Sequence, residues 1–488
     1  MAVEIYKSDD FGAGVAAGGA TGSVKAQHNQ EKWHVQLKPS IKSKSFFSIR
    51  RRKIGGLDVE NFAELIGAKI AYSVMNKEAA ALVPEVNFVV DDKTGQVSVI
   101  SKYLNAVKGS LHKDKDTQLS ATKNPSAANE ISLEQKKGVC KAIALSILIG
   151  DHDINPSNML KIDENKIARI DYGHAFNDLL SQSKIFGGQV RNKDNQVLDF
   201  FNRESVNTIK LGDSTKLWRS YENLIPSIEM SDAMSEMATD AEGKIKAGVD
   251  NAKKNFEELL KQPKVNSNHI LKSLAAIANN LEGEKIKVNL KNPQETLDKA
   301  FNKIEDFSLK QAQNMEKTAE LMRAQIDLDE KIKNNKALTT EEIEKFDNMS
   351  KDIKFSNGKG KINWIKTSKN EKAFTGTVEE YIKHSAKKLG LSNDKIQNSL
   401  SSVPKDPTIM EGLKNLINKI SGHKYQAVTT RELVTESPKK TPTTNNSNKN
   451  IMVKNEAQIK SIKEALKSNN ARPNGPPYNK SRGRANTI

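Results

Sequence analysis

Gly150-Asp-His-Asp-Ile-Asn-Pro-Ser-Asn-Met-Leu-Lys-Ile-Asp-Glu-Asn-Lys-Ile-Ala-Arg-Ile-Asp-Tyr-Gly-His-Ala-Phe176 is the stretch whose reading decides the fold. It carries five acidic residues and three Asn, and their order matters more than their number. Asn158 follows Asp153 by five positions. Met159–Ile162 and Ile167–Ile170 read as two short strands around a polar turn at 163–166. Such a hairpin brings its two ends, Asn158 and Asp171, next to each other. Upstream, Ser132 with Gln135 forms a capping-box start. The helix it opens has Val139, Ile143, Ile147 and Leu148 on one face and stops at Gly150. The acidic loop therefore leaves the C-terminal end of a buried helix.

A base Asp, four intervening residues, a metal-binding Asn and a later Asp-x-Gly is the spacing of a phosphoryl-transfer loop. On that spacing Asp153 is the catalytic base, and Asn158 and Asp171 are the metal ligands. Hard oxygen donors of this kind suit Mg²⁺, which takes its remaining ligands from phosphate and water. Asp151 is a rival base, because alignment on the Gly-Asp pair selects it instead. The plain alternative is a loop whose Asp and Asn side chains cap their own backbone. A calcium loop of the EF-hand type does not fit, since that needs Gly at position six and Glu at position twelve.

The segment before the loop supplies phosphate-binding candidates. Gly12, Gly14, Gly18, Gly19 and Gly22 precede Trp33-His-Val-Gln-Leu-Lys38, which alternates as a strand does. Gly19 and Gly22 let backbone amides approach phosphate oxygens, and Lys38 neutralises them. Residues 58–77 have helical periodicity, with Glu64 as the carboxylate to hold Lys38 and Glu60 as its rival. Residues 86–90 and 97–100 form a hairpin turning at Asp91–Gly95, and 102–105 form a hinge. The basic stretch 40–56 reads as a solvated loop, 106–130 as a mobile loop and 177–225 as a substrate loop.

Composition narrows the partners. Of 488 residues, 77 are Lys or Arg and 60 are Asp or Glu, a formal charge of +17. Such a chain is drawn to anionic surfaces. Aromatic residues make up only 5%, which argues against a nucleic-acid partner that relies on base stacking. The single Cys140 excludes an internal disulfide framework and reads as a core thiol. No apolar run is long enough to span a bilayer, and the N-terminal MAVEIYKSDDFGAG lacks a secretory profile. The expected fold class is α+β, with a two-lobed catalytic domain: a small lobe at 1–105 and a large lobe at 106–225. A mostly helical region follows at 226–425, with segments at 228–262, 266–282, 294–336, 339–354, 376–390 and 408–420. A disordered basic tail occupies 426–488.

Ile170-Asp-Tyr-Gly-His-Ala-Phe176 resembles the I-D-F-G-H-x-F run of phosphatidylinositol 3- and 4-kinases. Gly150-Asp-His-Asp153 through Asn158-Met-Leu160 is similar to their G-D-R-H-x-x-N-I-M segment, with Ile154-Asn155 in place of Arg-His. Within that family the stretch looks most like 3-kinase-like effectors secreted by intracellular bacteria of the rickettsial type. The resemblance implies a two-lobed kinase fold, with ATP and Mg²⁺ as cofactors and Mn²⁺ as the alternative ion. It implies phosphatidylinositol kinase activity, 3-kinase before 4-kinase, on an inositol-ring hydroxyl of a membrane phosphoinositide. It further implies passage from the bacterial cytoplasm to the host cytosol and peripheral binding to anionic host membranes. The helical region is then free to bind a host protein. The competing expectations are a protein serine/threonine kinase on the same scaffold and a non-catalytic effector that binds a host protein.

Overall fold

A computed structural model of the chain describes residues 5–11, 15–16, 24–27, 34–38, 59–75, 82–102, 104, 133–151, 158–163, 166–176, 194–202, 227–356, 358–367 and 372–403. All of these fall within one compact unit, Met1–Lys405; a second unit, Asp406–Ile488, lies outside the described residues. Gly19, Gly22, Asp153, the basic stretch 40–56, the helical segment expected at 408–420 and the tail from 426 are likewise outside them.

A six-stranded sheet opens the chain. It is formed by β1 (Ile5–Lys7), β2 (Val15–Ala16), β3 (Val24–Gln27), β4 (His34–Lys38), β5 (Val86–Val90) and β6 (Val97–Lys102). The order is β1-β5-β6-β4-β3-β2, antiparallel except where β1 runs parallel to β5. The strand ending in Lys38 is therefore interior, flanked by β3 and β6. The β5–β6 hairpin turns where expected, with Asp91 capping the Lys93 and Thr94 amides and Gly95 at φ +68°. Three strands, β1, β2 and β3, escape the periodicity reading because each has only two to four residues.

Helix α1 (Val59–Val74) lies against this sheet and is buried almost all round. Helix α2 (Leu133–Leu148) leads to a second, two-stranded hairpin of β7 (Met159–Lys161) and β8 (Ile167–Arg169). The expected substrate loop contains a short helix, α3 (Gln196–Asn202), which begins at buried Asn195; the Asn195 carboxamide oxygen accepts the Leu198 amide.

The helical region is α4 (Ile228–Ala238), α5 (Ala241–Leu260), α6 (Ser267–Asn279), α7 (Pro293–Lys333), α8 (Thr340–Lys351), α9 (Val378–Lys388) and α10 (Gln397–Ser401). The helix expected over 228–262 is two helices, broken at Asp240 with φ +52°. A two-stranded ribbon, β9 (Ile362–Asn363) and β10 (Thr375–Gly376), interrupts the helices without having been expected. At 41 residues, α7 is roughly 60 Å long and touches α2, α3, α4, α5, α6 and α9.

The expected boundary at 225/226 does not divide the core. One apolar cluster runs from Phe62 to Ile396. Four phenylalanines show how it is joined: Phe62 on α1, Phe88 on β5, Phe256 on α5 and Phe301 on α7 meet edge to face. Their ring centroids are 5.1–5.5 Å apart, an arrangement adding about 0.5–1.5 kcal/mol per pair beyond burial. Gly248 of α5 lies directly on the α1 backbone. A Cβ there would sit 2.6 Å from Ile70 Cα. Cys140 is buried on α2, as expected of a core thiol.

Two outcomes follow. Gly248→Ala destabilises the protein by about 1–3 kcal/mol through overpacking. Gly243→Ala, on the same helix, where among the described residues no atom beyond the helix's own backbone lies within 4 Å of an added Cβ, gains up to about 1 kcal/mol from helix propensity; urea unfolding distinguishes them. Burial, with the nearby Glu229 charge adding to it, pushes the Cys140 thiol from 9.0 up to about 12. The folded state thus retains a proton that the unfolded state loses. The stability this contributes is present below pH 9 and is lost as pH rises toward 12. The fall in unfolding free energy across that window is shallower in Cys140→Ala.

Candidate functional site

The site begins where α2 ends. Gly150 takes φ +67°, its amide donates to the Ile147 carbonyl, and the Asp151 amide donates to the Ser146 carbonyl. This is the Schellman closure that a glycine just past a helix end permits. It turns Asp151 back under the helix, where only 1% of the residue is exposed. Asp153 follows two positions later, outside the described residues.

Across β7 and β8 the hairpin closes with the Ile170 amide donating to the Asn158 carbonyl at 2.9 Å. This bond brings together the chain at Asn158 and the chain entering Asp171. Asp171 has φ +63° and Phe176 φ +60°. Left-handed backbone costs about 1–3 kcal/mol in a non-glycine residue and persists where its surroundings impose it. Here the Phe176 amide is held by the Ile149 carbonyl at 2.7 Å and the Ala175 amide by the Tyr172 carbonyl. The Phe176 ring meets Phe307 of α7 edge-on.

Helix α1 covers this loop. A Cβ on Gly67 would lie 3.1 Å from the Cβ atoms of both Tyr172 and Ala175, so the helix and the loop approach through a missing side chain. A Cβ on Gly173 would lie 3.5 Å from Asp171 Oδ1 and 3.6 Å from the Glu60 carbonyl oxygen. Of the two helix carboxylates considered for Lys38, Glu64 is buried and Glu60 partly exposed. Lys38 itself ends β4, paired with Val99 of β6. Lys69, on the same helix, is buried and donates to Asn87 Oδ1 at 2.9 Å.

Arg169 is the residue that spacing missed. Its Nη2 donates to Asp151 Oδ2 at 2.8 Å, its Nε to Ser146 Oγ at 3.0 Å, and its Nη1 to the Ile170 carbonyl. The ion pair is shielded from water on both sides. Tyr172 Oη donates to the Arg169 carbonyl at 3.0 Å, and its ring centroid lies 5.4 Å from the guanidinium. Burial drives the Tyr172 phenol far above its usual range, and the Asp151 and Glu64 charges add to the rise while Arg169 opposes it. The phenol is thus a permanent neutral donor. The available signal was Arg169 itself, a lone cation in the apolar run Ile167–Ile170, beside an acidic loop.

Among the described residues no group of three His, Cys, Asp or Glu is arranged to hold a metal. The candidate pair is Asn158 and Asp171, one amide and one carboxylate. That number suits an ion completing its shell from phosphate oxygens rather than one caged by protein. Among the described residues no helix is long and apolar enough to cross a membrane.

The comparisons with known proteins bear on this same region. Residues 102–186 match the family model described as LepB N-terminal domain. A comparison with curated proteins gives no match. The matched span contains the whole of 150–176, on which the resemblance to phosphatidylinositol 3- and 4-kinases rested, and points to a different family. The resemblance is overturned with it, including the link to rickettsial-type effectors. Short Asp/Asn motifs recur wherever phosphate or turn chemistry needs them, so a few matching positions did not identify a family.

The Tyr172 contact gives a direct check. Tyr172→Phe leaves the buried Arg169 carbonyl without this donor and lowers stability by about 1–3 kcal/mol, measured by thermal unfolding beside the wild-type protein.

Proposed function

We propose that the chain is an ATP-dependent phosphotransferase, with a phosphoinositide hydroxyl at a membrane surface as its acceptor. The observation that supports it best is the Ile170–Asn158 backbone bond. It sets Asn158 beside a left-handed Asp171, and Asp153 precedes Asn158 by five positions in the chain. Asp153 accepts the proton of the attacking hydroxyl. Asn158 and Asp171 would hold Mg²⁺, which would supply charge neutralisation to the phosphates of bound ATP. On this reading Lys38 would add positive charge at the phosphates with Glu64 to orient it, and the Gly19 and Gly22 amides would bind them; Gly19 and Gly22 lie outside the described residues. Support for a lipid acceptor comes from the +17 charge, which favours anionic membrane surfaces.

The test is phosphoryl transfer from labelled ATP by the full chain, with Mg²⁺, to phosphoinositide vesicles beside a generic protein substrate. Wild-type protein labels the lipid, and Asp153→Ala and Asp171→Ala each reduce labelling by about 100-fold or more. Lipid labelling unchanged in both variants rejects the site. Transfer only to protein makes the acceptor a serine or threonine hydroxyl. No transfer by wild-type protein removes the enzymatic reading and leaves a partner-binding protein.

A further inference from the structure

Arg169 is 2% exposed, and an arginine is seldom buried so deeply unless it is paired. Its side-chain bonds reach three different segments: Ser146 within α2, Asp151 just beyond that helix, and the Ile170 carbonyl. Its own carbonyl accepts from Tyr172 Oη, and its guanidinium lies near the Tyr172 ring. Asp171 is therefore bracketed, at the residue before and the residue after, by contacts to one side chain and its backbone. Through Nη2 the same guanidinium holds Asp151, which stands two positions before Asp153 in the chain.

We propose that Arg169 is the positioning residue of the site, tying the left-handed backbone at Asp171 and Asp151 at the end of α2 to a single buried cation. This rests on the phosphotransferase reading and extends it. Asp151 becomes the counter-ion of Arg169 rather than the base, because its carboxylate is committed to the guanidinium and closed to solvent. The planar fork is required, since three acceptors in different directions cannot be served in the same way by the point charge of lysine. Partners behind a metal ligand set its orientation, and their loss typically costs about 10- to 100-fold in metal affinity or activity.

The test separates positioning from stability. Mn²⁺ is titrated into the full chain with a non-hydrolysable ATP analogue and followed by electron paramagnetic resonance, and each variant is also melted. Two variants are used: Arg169→Lys, and the apolar replacement Asp151→Leu/Arg169→Met. Replacing a buried ion pair by apolar side chains is often neutral or stabilising, so the double variant is expected to fold, melting slightly below wild type because the Ile170 carbonyl loses its Arg169 donor. Both are expected to bind Mn²⁺ about 10- to 100-fold more weakly and to transfer phosphate correspondingly more slowly. A double variant that is stable and binds Mn²⁺ like wild type overturns the proposal. Should neither variant fold, the pair is a stability device and the proposal also falls. Wild-type protein that binds no Mn²⁺ with nucleotide overturns the phosphotransferase reading itself; variants matching a Mn²⁺-binding wild type overturn only the role of Arg169.

Discussion

Helix α1 is buried on nearly every side, and the arrangement of the described chain depends on it. A helix so enclosed needs small residues wherever backbones meet. Gly67 admits the Tyr172–Ala175 loop, and Gly248 of α5 closes onto Lys69 and Ile70 from the helical region. Phe62, on the same helix, meets Phe88 of the sheet and Phe256 of α5. The loop bearing Asp171 and the helical region are thus fitted against a common helix. Any shift of α1 is felt at both, since close-packed interiors transmit displacement rather than absorb it.

The helical region is consequently part of the body that holds the site. Helix α7 reaches Phe176, the last residue of the loop, through Phe307. It also fixes the segment before α3 through the Asn195 amide bonded to Thr318. Buried polar groups along α7 are only partly matched: among the described residues, Ser308 Oγ, Gln311 Oε1 and Asn314 Nδ2 find no hydrogen-bond partner. Such groups are costly in an apolar interior unless water or a partner meets them.

Legibility differed between elements for physical reasons. The helix ending at Gly150 and the hairpin between Asn158 and Asp171 were readable because local chemistry dictates both: glycine for a left-handed helix end, alternating apolar residues around an acidic turn. Among the described residues, the longer helices of the C-terminal half were readable by periodicity, except at Asp240, where no Gly or Pro marks the break; the five-residue α10 was not expected. The two- to four-residue strands were not, since pairing rather than pattern defines them. The family resemblance failed for a related reason. It rested on a few residues whose spacing is set by loop chemistry, and the longer match over 102–186 points elsewhere.

The sequence by itself determined the order of the acidic loop, the hairpin that follows it, the basic charge and the helical character of the second half. These depend on residues near one another in the chain or on simple sums. Only the tertiary structure decided that Asp151 is the partner of Arg169, that Lys38 ends an interior strand, and that the helical half shares one core with the rest. Each of these joins residues that are distant in the chain, and they are selected by burial. A carboxylate enclosed at the end of a helix must find a cation, and the one that packing brings to it is Arg169.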